Sequence, residues 1–234
     1  MSSALERIFV ATEEANRLAI LAALSNVPDG PMLDIGPHKG EFTQRVAQRV
    51  GATDVRGVEL IPDHVAEAEA RGIAVTLGDV DDGLPYEDDT FTLVLANQVI
   101  EHVRRTDLFM TEIRRVLKPG GLVCISTNNL GSWHNVFSLA LGYQPMPMHV
   151  SDEVIVGNPI NPQDGFAHED LGRTHLRIFT LRSLVELAEF HGLPAVHAST
   201  AGYYPLPPRL ASKAARIDPR HGAFSVTIFK KPSA

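Results

Sequence analysis

The apolar positions along this chain follow two periods in turn. Leu5, Ile8, Phe9, Ala15, Leu18, Ala19 and Ala22 recur at helical spacing. They predict an amphipathic N-terminal helix within residues 1–27, stopped near Val27-Pro28-Asp29-Gly30 and packed over a sheet edge. An apolar run at 31–35 then reads as a strand, followed by a turn and a helix whose Phe42, Val46 and Val50 share one face before Gly51 ends it. A second strand at 54–60 leads into a helix with Pro62 in its first turn, where the missing N–H costs nothing, ending at Gly72. Ile73 to Leu77 is a third strand. Phe91 to Ala96 is a short apolar run with Thr92 as its one polar residue, the signature of a central strand covered by helices on both faces. The next helix turns Leu108, Ile113, Val116 and Leu117 inward and is closed by Lys118-Pro119-Gly120-Gly121 before a fifth strand, Leu122 to Thr127. Thr180 can cap a helix carrying Leu184, Val185 and Ala188, and two strands near 195–201 and 223–230 finish the chain. Repeated βα units of this kind predict an α/β fold: a doubly wound, mostly parallel seven-stranded sheet forming one domain over 1–234. Residues 131–175 break the alternation, and a segment this long and irregular is expected to be a lid over a substrate site.

Chemistry enters at the first βα turn. Asp34-Ile35-Gly36-Pro37-His38-Lys39-Gly40 joins a strand end to a helix start, the place where open α/β sheets bind ligands. Taken alone, the glycine-bracketed loop fits an ordinary tight turn as well as a nucleotide site. Two acids follow at matching places. Glu59 ends the second strand, where a carboxylate can accept both ribose hydroxyls, and Asp79 follows the third, where it can accept from an adenine amino group. Each alone is more often a solvated strand terminus; together with the loop they outline an adenosine crevice. A dinucleotide prefers the spacing G-x-G-x-x-G, which this loop lacks, so a nicotinamide oxidoreductase is the weaker reading.

The loop resembles instead the acid-x-glycine-x-glycine-x-glycine motif of class I S-adenosylmethionine-dependent methyltransferases. The resemblance runs on through Glu59, Asp79-Val80, Asp89 to Asn97, Ile100-Glu101-His102-Val103, and Glu112 to Gly121. It implies a Rossmann-like fold and S-adenosylmethionine as cofactor, with S-adenosylhomocysteine as product. By position it implies that Asp34, Ile35, Gly36, His38 and Gly40 surround the methionine part. Glu59 then holds the ribose, Leu60 covers the adenine, Asp79 and Val80 read its edge, and Asn97 closes the pocket. In-line methyl transfer from a sulfonium needs alignment and exclusion of water more than a metal, and no metal is expected. The chain departs from the motif at Pro37, which removes a donor, and at His38, which stands where glycine is usual.

His102 is a candidate general base, although Glu101-His102 also serves this family as a structural turn. The lid offers Trp133, Phe137, Tyr143, Met146, Met148 and Phe166 as walls, and His134, His149, His168 and His175 as polar points. Trp133, His134 and Tyr143 are the expected acceptor contacts, with His134 a second candidate base; Trp133 serves equally as an anchor for the lid. No HxH or HxxxH pair occurs among these histidines. The expected activity is methyl transfer to an O or N atom of a small or medium-sized acceptor, of small-molecule, lipid or sugar type. A cofactor-binding or protein-interaction member of the fold without turnover is the alternative, with His38 marking the lost glycine.

Composition narrows the partners. A formal charge of -7 with basic residues scattered among acids argues against nucleic acid. No apolar run reaches membrane-spanning length, and the N-terminus lacks a basic start and apolar core, so a cytoplasmic protein is expected. Cys124, the one cysteine, sits in Leu122-Val123-Cys124-Ile125 and reads as a buried apolar residue.

Overall fold

The computed structural model describes residues 4–159, 161 and 174–233. Its sheet is built from β1 (Met32–Ile35), β2 (Val55–Glu59), β3 (Ala74–Leu77), β4 (Phe91–Asn97), β5 (Leu117–Asn128), β6 (Ala195–Ala201) and β7 (Phe224–Lys230). The order is β3-β2-β1-β4-β5-β7-β6. β1 to β5 are mutually parallel, and β7 runs antiparallel to both β5 and β6. The helices are α1 (Ala4–Ala23), α2 (Glu41–Val50), α3 (Pro62–Glu69), α4 (Thr106–Val116), α5 (Trp133–Ala140), α6 (Leu181–Phe190) and α7 (Pro208–Ile217). β4 is the middle strand, as its largely apolar run predicts. Among the described residues no helix is long and apolar enough to cross a membrane.

The pleat sends successive side chains to opposite faces, so each central strand feeds two cores. Leu33, Ile35, Val94, Ala96, Val123 and Ile125 meet α4 and α6 through Phe109, Met110, Ile113, Val116, Leu184 and Ala188. Met32, Leu93, Leu95 and Cys124 face the other way, against Ile20, Leu24, Val46 and Ala47. Each of the large side chains contributes about 1.5–3 kcal/mol by leaving water, which is why helices on both faces are obligatory. α1 therefore covers a sheet face across β5, β7 and β6; the expected edge position is corrected by the burial of Ile20 among core residues.

A second correction concerns Lys118 to Gly121, expected as a loop after α4. They lie within β5, where Phe91 pairs with Leu117 but Leu93 pairs with Leu122. The extra residues bulge out of the ladder, helped by Gly120 at φ 81°, and bond through Gly120 and Gly121 to Lys231. α6 opens as predicted: Thr180 and Ser183 cap it reciprocally. α5 and α7 are helices where the sequence pattern suggested only a lid and a connection.

Candidate functional site

β1, β2, β3 and β4 all deliver their C-terminal ends to one edge of the sheet. There the β1–α2 loop takes left-handed φ at Gly36 (72°), His38 (51°) and Gly40 (85°). A Cβ on Gly36 would come within 2.9 Å of Val99, and one on Gly57 within 2.9 Å of Pro37, so the loop lies flat against the strand ends. His38 keeps the conformation that a glycine would adopt freely, at a cost of about 1–2 kcal/mol. Its amide donates to Glu59 Oε2 at 2.9 Å. Glu59, only 5% exposed, accepts at Oε1 from Leu60 and Ile61 N–H at 3.0 and 2.9 Å. A carboxylate offers about four acceptor directions, so one remains, on Oε2. The expected grip on both ribose hydroxyls thus narrows to one direct acceptor position.

The His38 ring is turned toward α3. It tilts over His64 with centroids 3.9 Å apart, and His64 Nδ1 stands 3.8 Å from Glu59 Oε1 with no hydrogen-bond partner among the described residues. His64 was not singled out by the sequence; its one signal is its place in the first turn of the helix that follows Glu59.

Asp34 is buried beneath the loop, 3% exposed, and accepts from Thr43 Oγ1 at 2.6 Å. Burial pushes its pKa up to about 7, against the pull of the Thr43 hydrogen bond and with the help of the nearby Glu59 charge. Ile35 is a core side chain and offers only backbone to the loop. Leu60 is exposed beside Glu59. Asp79 caps a short 3-10 turn at Val80–Asp82 by accepting from Asp81 N–H at 2.9 Å, and Val80 packs partly into the core. Asn97 Oδ1 accepts from Asn16 Nδ2 at 3.0 Å, and Asn16 Oδ1 accepts from Ser126 Oγ at 2.8 Å. The N-terminal helix thereby ties together the ends of β4 and β5. Thr12 and Asn16, polar residues one turn apart in line with buried Ile20, are the signal the helical periodicity left unread.

Beyond the end of β5, a cavity of about 410 Å³ is lined by Trp133, His134, Phe137, Tyr203, Tyr204, Pro205, Leu206, Ala214, Ile217 and Asp218. This is within the range of small-molecule pockets, and its walls are mostly apolar and aromatic. Trp133 Nε1 donates to Asp218 Oδ2 at 2.8 Å and its ring lies over His221, which also engages Asp218. Trp133 is thus both wall and anchor. The Tyr203 hydroxyl donates to the Asp218 carbonyl. His134, half-buried and edge-on to Tyr204, has its pKa pushed down to about 4 by desolvation. Tyr143 lies outside the cavity lining, and Phe166 and His168 outside the described residues.

His102 sits elsewhere, on the turn after β4. Its Nδ1 meets the Thr174 carbonyl at 3.2 Å and its ring lies 4.9 Å from that of His175. The neighbouring Glu101 is fully buried, accepting from Thr127 Oγ1 at 2.8 Å and Asn128 Nδ2 at 3.4 Å, and burial raises its pKa to about 7.

Residues 33–125, from β1 through most of β5, match the methyltransferase domain family. The norajmaline N-methyltransferase of Rauvolfia serpentina is 38% identical over 114 residues, 43% of this chain and 39% of that protein. The ubiquinone biosynthesis O-methyltransferase of Rhizobium johnstonii is 34% identical over 105 residues, 42% of this chain and 41% of that protein. The chain thus spans about two fifths of the length of these curated relatives. An S-adenosylmethionine-dependent methyltransferase structure from Mesorhizobium loti superposes with a TM-score of 0.62 at 18% identity, over 92% of this chain and 97% of the other. Residues 33–125 thus match the methyltransferase domain family in sequence, and the architecture shared over nearly the whole chain is the fold of class I S-adenosylmethionine-dependent methyltransferases.

Proposed function

We propose that this chain transfers a methyl group from S-adenosylmethionine to an oxygen or nitrogen of a small or medium-sized acceptor. The observation that carries the reading is Glu59: a nearly buried carboxylate at the end of β2, fixed by three backbone N–H groups, one from the β1–α2 loop, with one acceptor direction left. That remainder, beside a loop lying flat on the strand ends, fits a ribose whose adenine extends toward Asp79. In this reading Glu59 holds the ribose, Leu60 covers the adenine, Asp79 and Val80 read its edge, and Gly36, His38 and Gly40 line the methionine part. Asp34 acts from below the loop, and Asn97 is positioned by Asn16.

The cofactor supplies a methyl already bonded to a good leaving group. The chain's own task is to align the acceptor and exclude water. The aromatic cavity at the end of β5 suits an acceptor with an apolar body, and Trp133 and His134 are its proposed contacts. His134 is a weak base, since burial keeps it neutral with a pKa of about 4. It orients the acceptor through a hydrogen bond; proton removal then falls to water or to a nucleophile that needs no base. The names of the relatives, an N- and an O-methyltransferase of small molecules, agree with an acceptor of this size.

Calorimetric titration of the purified chain with S-adenosylmethionine, S-adenosylhomocysteine and NAD(H) tests the reading. Saturable binding of the first two, and none of the third, is expected. Failure of folded protein to bind either adenosyl compound overturns the assignment.

A further inference from the structure

His175, distant in sequence, converges on the adjacent pair Glu101 and His102. One donor atom from each lies within 4.8 Å of those of the other two. The backbone fixes this meeting: the Glu101 carbonyl accepts from Leu176 N–H at 2.7 Å and Arg177 N–H at 3.3 Å, and Arg177 Nη1 reaches the Val103 carbonyl at 2.8 Å. The returning end of the lid is thereby fastened to the turn after β4.

The imidazoles are set in a particular way. Nδ1 of His102 lies on the Thr174 carbonyl at 3.2 Å, and Nδ1 of His175 on the Pro147 carbonyl at 2.7 Å. A carbonyl can only accept, so in each ring Nδ1 carries the proton and the lone pair of the neutral ring is on Nε2. Backbone carbonyls holding Nδ1–H are the usual support of a histidine that ligates through Nε2. His149 is different: its Nδ1 accepts from His175 N–H at 3.3 Å and its ring stacks on His175 at 4.4 Å, so it buttresses. Glu101 accepts from Thr127, Asn128 and its own backbone N–H, and among the described residues no ion pair to Lys or Arg holds it. Among the described residues, then, a buried carboxylate not paired with a Lys or Arg faces two oriented imidazoles.

We propose that Glu101, His102 and His175 form a binding site for a borderline first-row divalent ion of the Zn²⁺ or Co²⁺ kind, clamping the end of the lid to the β4–α4 turn. Two nitrogens and one carboxylate oxygen suit such an ion and leave a further coordination position for water or a ligand atom. Tetrahedral coordination needs donors about 3.3 Å apart, so the three must close by no more than about 1.5 Å, a matter of side-chain rotation. The site goes beyond methyl transfer and does not depend on it.

The test is titration of the metal-stripped full chain with Co²⁺, read by its visible d–d absorption, with Zn²⁺ as competitor. One equivalent is expected to bind and to be displaced by Zn²⁺. His102→Ala and His175→Ala are each expected to weaken binding by roughly tenfold or more, with circular dichroism unchanged, whereas His149→Ala keeps the stoichiometry. If either ligand variant loses structure, His175→Gln, on the surface segment, takes its place. Absence of stoichiometric binding by the wild type, or binding undiminished in both ligand variants, overturns the proposal.

Discussion

Glu59→Gln probes the crevice with the least change of shape. The glutamine oxygen can keep the Leu60 and Ile61 amides, which share Oε1, but its NH₂ group then faces the His38 N–H that Oε2 now accepts. Two effects follow. The remaining acceptor direction becomes a donor, so a charge-assisted hydrogen bond to the ribose is lost, at about 1.5–3 kcal/mol. That raises the Kd for S-adenosylmethionine by about ten- to a hundredfold. Separately, the His38 amide is left opposite another donor, which costs the apo protein about 1–3 kcal/mol. In a chain of this size each such kcal/mol lowers Tm by roughly 2–4 °C. Calorimetry with S-adenosylmethionine, alongside thermal denaturation of the same samples, separates the two. An unchanged Kd in a folded variant would refute the role given to Glu59, whatever happened to Tm.

Gly57→Ala places a Cβ 2.9 Å from Pro37 Cγ, which must push the loop off β2; we expect a loss of about 1–3 kcal/mol in denaturant unfolding and weaker cofactor binding, and an unperturbed variant would show the loop is not seated on Gly57. His38→Gly relieves the left-handed backbone and His38→Val worsens it, so Tm should be lower for valine than for glycine by the equivalent of about 1 kcal/mol or more; equal values would contradict the strain. The folded-state pKa of His134, about 4, lies below that of a free histidine, so the unfolded chain binds more protons between these values and stability falls as pH drops from about 6.5 toward 4. His134→Gln should remove about 1–3 kcal/mol of that acid sensitivity in pH-dependent unfolding; an identical pH profile would show the ring is not desolvated.

What could be read from residue order was whatever local pattern decides. β4 is legible because both faces of Phe91 to Ala96 are buried and all of its positions but Thr92 are apolar, and α6 because Thr180 announces its cap. Asp34, Gly36, Gly40, Glu59 and Asp79 were legible as a series because a parallel sheet brings successive strand ends to one edge. α7 was hidden: Tyr203 to Pro208 reads as a connection, and the helix that follows lines the cavity through Ala214 and Ile217, with Asp218 just past its end. The same holds for Asn16 between Asn97 and Ser126, and for His175 beside His102. Those meetings depend on tertiary distance, and no spacing in the sequence encodes them.

The central claim is that the edge formed by the ends of β1 to β4 holds the adenosyl group. A co-crystal with S-adenosylhomocysteine measures this directly. The account predicts density with the ribose within hydrogen-bonding distance of Glu59 Oε2 and the adenine edge at Asp79. Well-defined ligand density elsewhere, with Glu59 contacting only the His38, Leu60 and Ile61 amides, would contradict it.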